Sequence, residues 1–374
     1  MISFETGPIR PPSEAGSILI RLTRNCPWNK CAFCPVYKGE KFSLRSVDEI
    51  KSDIDAIIMC RDLIDESKKT NPIANMQDFT LFAQKHSISL RHLEMVLFWM
   101  SNGMESLFLQ DADSLVMKTP DLIEILAYIQ QNFPSLKRIT SYSRAKTLSS
   151  KSLDDLKQLN IHGINRLHIG MESGSDEVLS LIKKGASSEQ QIEGGQKAMA
   201  AGFEVSQFYM PGIGGKALWE QNAIESAKVI NAVNPHFVRI RSTIPVPGTP
   251  LHETMKQGNW INLKEEEKIK EIHLFISSLH DITSTITSDH IMNLLEDIEG
   301  SMPNDKDKML SKLDKFLSMD KTDKEYYIIG RRMGIFRSLD SYRPIEDVKN
   351  LTKQIKEKNL SVDDAAMEML WNYI

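Results

Sequence analysis

Short strand-like segments alternate with helix-like segments between residues 18 and 241 of the chain. The strand candidates are apolar runs followed by stretches with helical spacing, and they cover residues 18–22, 106–109, 138–142, 166–171, 203–210 and 237–241. This alternation is typical of a parallel sheet with crossover helices. It predicts an α/β fold, a partial (β/α)6 TIM-like barrel over residues 1–255. In such barrels the chemistry lies in loops at the carboxyl ends of the strands.

Two regions do not follow the alternation. Residues 65–104 are interpreted as an insertion that contains a helix near 90–100. After residue 255, charged residues and amphipathic patterns dominate, which predicts a helical C-terminal domain over 256–374. The helices expected there cover 263–280, 289–299, 306–317, 322–337 and 361–373.

Charge and hydropathy narrow the class of protein. The net charge of −4 over 374 residues argues against binding nucleic acid by bulk electrostatics, so we expect no nucleic-acid partner on this ground. No apolar run approaches the roughly 20 residues of a membrane helix, and the N-terminus lacks the apolar core of a signal peptide. We therefore expect a cytoplasmic protein without a membrane partner.

Three of the four cysteines lie close together, with the spacing C-x4-C-x2-C at Cys26, Cys31 and Cys34. Thiolates are the usual ligands of iron–sulfur clusters, and three of them on a [4Fe–4S] cube leave one iron open to bind another molecule. A zinc site would need a fourth ligand, and neither His86 nor His92 has ligand spacing. The cysteines alone favour a cluster, with zinc or coincidence as alternatives. Cys60 stands in an apolar helical pattern and is expected to be a buried packing residue.

Four segments in order along the chain resemble one family. They are the cysteine loop with Phe33 before its last cysteine, HIGMESGSDEVLSLIKKG at 168–185, YMPGIGG at 209–215 and IPVPGTPL at 244–251. Together they are similar to the radical S-adenosylmethionine (SAM) superfamily, in the branch with the anaerobic coproporphyrinogen dehydrogenases and the tRNA methylthiotransferases. That family usually has C-x3-C-x2-C. The first gap is one residue longer here, which removes no ligand.

The resemblance implies cofactors and a reaction. A [4Fe–4S] cluster on Cys26, Cys31 and Cys34 would cleave SAM to a 5′-deoxyadenosyl radical, which abstracts hydrogen from a substrate. The expected partners are a small or medium substrate, preferably anionic, and an external electron donor of the flavodoxin or ferredoxin type. Two alternatives remain: an RNA- or protein-modifying radical SAM enzyme, and a non-enzymatic iron–sulfur or zinc sensor.

Polar residues near strand ends are candidates for contact with SAM. In the strand 166–172, Glu172 shares the inward face, where it suits a ribose hydroxyl or the methionyl amine. By resemblance, Lys184 contacts the SAM carboxylate. The alternatives are a salt-bridge acid at Glu172 and a solvated lysine at Lys184. The full set of cofactor-binding candidates is Phe33, Asp111, Ser143, Arg144, Glu172, Lys184 and Arg241.

The remaining candidates concern the substrate. Arg239 and Arg241 alternate on one face of the last strand, where they could pair with Glu172, with the SAM carboxylate or with an anionic substrate. Asp289 and His290 are expected at the start of the helix 289–299, facing the mouth of the site.

Overall fold

The structure is a computed structural model that describes residues 1–70, 73 and 75–371. Its strands are β1 Ile18–Arg21, β2 Thr23–Arg24, β3 Ser43–Leu44, β4 Ser106–Gln110, β5 Arg138–Ser143, β6 Ile164–Glu172, β7 Glu204–Tyr209, β8 Phe237–Ile240, β9 Thr285–Thr287 and β10 Gly300–Ser301. All the strands expected from the sequence are present.

Helices connect these strands and make up most of the C-terminal region. They are α1 Val47–Thr70, α2 Met76–Lys85, α3 Leu90–Ser101, α4 Thr119–Asn132, α5 Ala145–Ser150, α6 Leu153–Ile161, α7 Asp176–Leu181, α8 Ser188–Ala200, α9 Gly215–Val233, α10 Pro250–Lys256, α11 Glu265–Ser277, α12 Lys306–Ser318, α13 Lys321–Arg332, α14 Glu346–Glu357 and α15 Val362–Trp371. Within the described residues, no helix is both long enough and apolar enough to cross a lipid bilayer.

The main sheet has eight strands in the order β1-β4-β5-β6-β7-β8-β9-β10. The pairs β1–β4, β4–β5, β7–β8 and β8–β9 are parallel, whereas the pair β9–β10 at the edge of the sheet is antiparallel. β2 and β3 form a separate antiparallel ribbon. Neighbouring parallel strands that follow each other along the chain are the arrangement of a (β/α) barrel. The α/β class predicted from the sequence is confirmed.

Buried apolar strands form the core of this sheet. Leu107, Phe108 and Leu109 of β4 are fully buried, as a strand covered on both faces requires. Helix α1 begins at Val47 after a capping box, in which the Ser46 hydroxyl accepts from the Glu49 amide and the Glu49 carboxylate accepts from the Ser46 amide. Local sequence thus fixes both the strands and the start of the first long helix.

The helix predicted at 289–299 is wrong. β9 ends at Thr287, before this segment, and no helix lies between β9 and β10 in the described structure. The Asn293 side chain explains the difference, because it donates to the carbonyls of Ile240 and Ser288 and accepts from the Ser242 amide. These hydrogen bonds hold the segment against the end of β8 in a non-helical conformation.

Two smaller predictions also change. The helix expected at 322–337 ends at Arg332, because Gly334 adopts a left-handed φ of 74°. In the segment 65–104, helix α1 continues to Thr70 before α2, and the helix expected near 90–100 is confirmed as α3. Residues 71, 72 and 74 of that segment, and residues 372–373 of the helix expected at 361–373, lie outside the described residues.

The chain divides into two compact units. The first unit comprises residues 1–29, 36–168 and 197–204, and the second comprises 30–35, 169–196 and 205–374. The division does not follow the boundary expected at residue 255, which stays a prediction.

Candidate functional site

The first part of the cysteine loop lies in the first unit, just beyond β1 and β2. Asn25 and Asn29 have left-handed φ angles of 69° and 46°, which turn the chain sharply on both sides of Cys26. The Asn29 amide donates to the Cys26 sulfur at 3.3 Å, and its side chain donates to the carbonyls of Tyr37 and Glu40. The loop is therefore folded back on its own C-terminal end.

Asp111, directly after β4, anchors this fold. Its buried carboxylate accepts from Arg21 Nε at 2.8 Å, from the Asn25 amide at 3.0 Å and from the Tyr37 hydroxyl at 3.0 Å. Burial, followed by the charge and hydrogen bond of Asp111, raises the pKa of Tyr37, so the phenol remains a donor at neutral pH. The contact of Asp111 with SAM stays a prediction. The hydrogen bonds that Asp111 accepts in the structure come from Arg21, Asn25 and Tyr37.

Ser143 and Arg144 end β5 beside a second buried acid, Asp113. Ser143 Oγ donates to Asp113 at 3.2 Å, and Thr147 Oγ1 donates to its other oxygen at 2.5 Å. Burial raises the pKa of Asp113 to about 6, against the opposing effect of Thr147 and the other polar neighbours. The Arg144 guanidinium lies 5.3 Å from the ring centre of Trp28, which is part of the cysteine loop. The ends of β4 and β5 thus meet the loop through polar and cation–π contacts.

The second part of the cysteine loop lies in the second unit, between Cys31 and Cys34. The Ala32 amide donates to the Ile182 carbonyl at 2.8 Å, and the Ala32 carbonyl accepts from the Leu251 amide at 2.9 Å. Phe33 packs against an apolar cluster made of Ala32, Val178, Ile182, Met210, Ile213, Leu251 and Trp260. Residues of the segments 168–185, 209–215 and 244–251 therefore converge on this turn.

Glu172 and Lys184, the predicted SAM contacts of this unit, form an ion pair. Lys184 Nζ lies 2.9 Å from Glu172 Oε1, and their side chains are only 9% and 12% exposed. Gly170 makes room for the pair, because a Cβ there would lie 2.5 Å from Glu172 Oε1. The Glu172 carbonyl accepts from the Met210 amide, so the pair sits beside the segment 209–215.

The ends of β8 and β9 carry a second group of charges. Arg239 pairs with Asp289 at 3.2 Å and donates to Ser206, rather than pairing with Glu172. Arg241 is exposed, and its guanidinium makes no hydrogen bond or ion pair with any described residue. Burial, followed by the charge of Arg241, lowers the pKa of His290 to about 3, so this imidazole is neutral. Asp289 and His290 follow β9 and do not begin a helix, which corrects the predicted setting of both residues.

Sequence reasoning missed Glu271 on α11. Its buried carboxylate accepts from the Gly212 amide at 2.7 Å, from Asn222 Nδ2 at 2.6 Å and from the Tyr209 hydroxyl at 3.0 Å. Burial raises its pKa to about 7 despite these donors. The signal was present in the sequence, since Glu271 lies one helical turn before Phe275 on an apolar face.

The donor set of the cysteine loop fits a [4Fe–4S] cluster. Across the described residues none of the four cysteines is in a disulfide; Cys26, Cys31 and Cys34 are half-buried and Cys60 is buried, as expected. No three His, Cys, Asp or Glu side chains of the described chain are grouped to hold a single metal ion. A cube differs from a single ion because each cysteine binds a separate iron, so its thiolates are spaced more widely.

Comparisons with known proteins agree with the resemblance. Residues 87–227 match the model of the radical SAM superfamily. A tRNA uridine(34) acetyltransferase of Methanocaldococcus infernus is 30% identical over 131 residues, which is 35% of this chain and 24% of that protein. The Methanocaldococcus jannaschii protein of the same name is 22% identical over 277 residues, which is 71% of this chain and 49% of that protein. The chain thus spans at most about half the length of these relatives.

Solved structures show weaker likeness. The Elp3 protein of Methanocaldococcus infernus with an N-terminal deletion aligns with a TM-score of 0.41 at 21% identity, covering 56% of this chain and 54% of that one. The methyltransferase TsrM of Kitasatospora setae, with cobalamin and a [4Fe–4S] cluster bound, aligns with a TM-score of 0.45 at 12% identity, covering 90% and 61%.

The superfamily match covers part of the candidate site. It includes Asp111, Ser143, Arg144, Glu172 and Lys184, whereas the three loop cysteines precede it. The predicted enzyme class and the predicted cofactors, a [4Fe–4S] cluster and SAM, are those of the matched superfamily. Residues 87–227 are thus similar to the radical SAM superfamily, and the resemblance seen in the sequence is confirmed.

Proposed function

We propose that this protein is a radical SAM enzyme whose cluster is held by Cys26, Cys31 and Cys34. The observation that carries the proposal is the turn at Ala32, which hydrogen-bonds to Ile182 and Leu251 in two of the family-like segments. Bound there, a reduced cluster would supply the electron for cleavage of SAM to methionine and a 5′-deoxyadenosyl radical. An external flavodoxin- or ferredoxin-type donor would supply that electron.

Glu172 and Lys184 are proposed to bind the amino-acid part of SAM. This part is a zwitterion, and a nearly buried pair of opposite charges offers one partner to its ammonium and one to its carboxylate. Two charges removed from water are costly unless their partners are well placed, so the pair favours a ligand with the complementary arrangement. Phe33 supports the site from the apolar cluster beneath the cysteine turn.

The substrate is proposed to carry an anionic group that Arg241 binds. This guanidinium is exposed at the end of β8, while its neighbour Arg239 is neutralised by Asp289. The nearby His290 is neutral and can donate or accept a hydrogen bond without adding charge. A carboxylate or phosphate suits this combination.

A nucleoside of tRNA is the second candidate substrate. The names of the two Methanocaldococcus relatives support it, although this chain spans only 24% and 49% of their lengths. RNA also presents phosphates, so Arg241 is compatible with it. The net charge of −4 favours the smaller anionic molecule.

Product analysis tests the proposal. Anaerobically reconstituted protein with dithionite should convert SAM to 5′-deoxyadenosine and methionine in equal amounts, slowly even without substrate. Added tRNA should leave that rate unchanged if the substrate is a small molecule, and a several-fold increase would favour the second candidate. Formation of S-adenosylhomocysteine alone would contradict radical initiation.

A further inference from the structure

We infer that Asp111 is a positioning residue that holds both ends of the cysteine loop and thereby controls how firmly the loop retains its cluster. The inference rests on the proposed function, since it concerns the same three cysteines. It assigns Asp111 a role different from contact with SAM.

The geometry places one carboxylate at both ends of the loop. Asn25, whose amide donates to Asp111 at 3.0 Å, directly precedes Cys26. Tyr37, whose hydroxyl donates to Asp111 at 3.0 Å, follows shortly after Cys34. Both ends are therefore fixed to β4 through the same side chain, and all three cysteines lie between them.

The charge on Asp111 is compensated within the protein. Arg21, at the end of β1, lies 2.6 Å from Asp111 Oδ2 through Nη2 and also donates through Nε. A buried carboxylate with this many donors is stable only while each donor remains in place. An asparagine would remove the charge that balances Arg21, and its NH2 group would either face the Arg21 and Asn25 donors or require the Tyr37 hydroxyl to accept instead of donate. Asp111→Asn should therefore weaken the hold on at least one end of the loop.

The N-terminal segment closes the pocket around Asp111. Gly7 donates to Gln110 Oε1 at 2.8 Å, and Gln110 Nε2 donates to the Ile9 carbonyl at 2.7 Å. A Cβ at Gly7 would lie only 1.9 Å from Asp111 Oδ1. Gly7→Ala therefore displaces the carboxylate without altering its chemistry. Gly16→Ala is a matched control in the same segment, because the atoms nearest to its Cβ would belong to the Asn102 side chain, at 3.3 Å and beyond.

Cluster retention measures this role directly. Full-length wild type, Asp111→Asn, Tyr37→Phe, Gly7→Ala and Gly16→Ala are reconstituted anaerobically, and iron loss to a chelator is followed by visible absorption. Residues that support metal ligands typically change metal affinity by 10–100-fold, so Asp111→Asn and Gly7→Ala should lose iron at least about tenfold faster. Tyr37→Phe should lose it about threefold faster, because it frees only one end of the loop. Gly16→Ala should match the wild type.

Further readouts separate the alternatives. The reduced clusters of Asp111→Asn and Gly7→Ala should have altered electron paramagnetic resonance spectra, whereas a purely structural role would lower the melting temperature and leave the spectrum unchanged. Wild-type iron retention and spectra in Asp111→Asn, or a loss of SAM affinity alone, would overturn the inference. If Asp111→Asn does not fold, wild-type iron retention in both Tyr37→Phe and Gly7→Ala would likewise overturn the inference. A wild type that holds no cluster would overturn the proposed function and this inference together.

Discussion

At the scale of single residues, the ion pair between Glu172 and Lys184 is the proposed contact of the protein with SAM. Both side chains are close to fully buried, and Gly170 leaves the space that they occupy. An ion pair of this kind is rarely a large source of stability, because desolvation offsets much of the attraction. Glu172 lies at the carboxyl end of β6, and this end of the strands is where a barrel carries its functional groups.

Replacing Lys184 with Met should weaken SAM binding. Hydrogen bonds to charged groups contribute about 1.5–3 kcal/mol, so the Kd for SAM should rise roughly 10–100-fold. Isothermal titration of the anaerobically reconstituted protein measures the effect. The adjacent, exposed Lys183→Met is the matched control and should bind SAM like the wild type. Equal affinities in the two variants would place Lys184 outside the SAM site.

Sequence reasoning named Glu172 and Lys184 because they lie in one motif, twelve positions apart, and in the structure Lys184 donates a hydrogen bond to Glu172. It could not foresee the partners of Asp111. Tyr37 and Arg21 are 74 and 90 residues away along the chain, and no local pattern encodes such contacts. Their meeting depends on the parallel pairing of β1 with β4, which brings Arg21 opposite Gln110.

At the scale of secondary-structure elements, the segment after β9 shows why periodicity can mislead. Ile291, Leu294, Leu295 and Ile298 repeat with helical spacing, yet the chain there is an irregular loop. Asn293 supplies the hydrogen bonds that a helix would otherwise provide. β9 is only three residues long, too short for an alternating pattern to reveal it.

Glu271 links helix α11 to the turn after β7, and its titration should affect stability. Its folded-state pKa of about 7 lies above the usual value of 4.5. The folded protein therefore keeps a proton that the unfolded chain releases, and the stabilisation present below pH 4.5 is lost as the pH rises through 7. The loss should be about 3 kcal/mol at most.

Urea unfolding between pH 4 and 8.5 measures this contribution as the difference between wild type and Glu271→Gln. The wild type should lose stability relative to the variant as the pH rises. Glu266→Gln is a control on the same helix, because partial burial is outweighed there by ion pairing with Lys270 and Lys324, which lowers the pKa of Glu266 instead of raising it. Parallel curves for wild type and Glu271→Gln would show that the carboxyl group titrates normally.

At the scale of the whole molecule, the sequence predicts the order of the strands in the sheet better than it predicts the division of the chain into two units. The six expected strands are apolar runs between helices, and their neighbours in the sheet follow chain order. β9 and β10 add residues from beyond 255 to the same sheet. The sequence did not predict these two strands, because the apolar residues of that region have helical spacing. The two compact units each combine distant parts of the chain, so no composition change marks their limits.

The central claim is that the cysteine loop holds the cluster of a radical SAM enzyme. Iron and sulfide analysis of anaerobically purified protein, with electron paramagnetic resonance after reduction, tests it most directly. The wild type should contain about four irons and four sulfides per chain, and Cys26→Ala, Cys31→Ala and Cys34→Ala should each lose them. Cys60→Ala should keep the cluster, because burial raises the pKa of the Cys60 thiol to about 12 and disfavours the thiolate. A wild type that binds only zinc, or a cluster lost from Cys60→Ala but kept in Cys34→Ala, would contradict the claim.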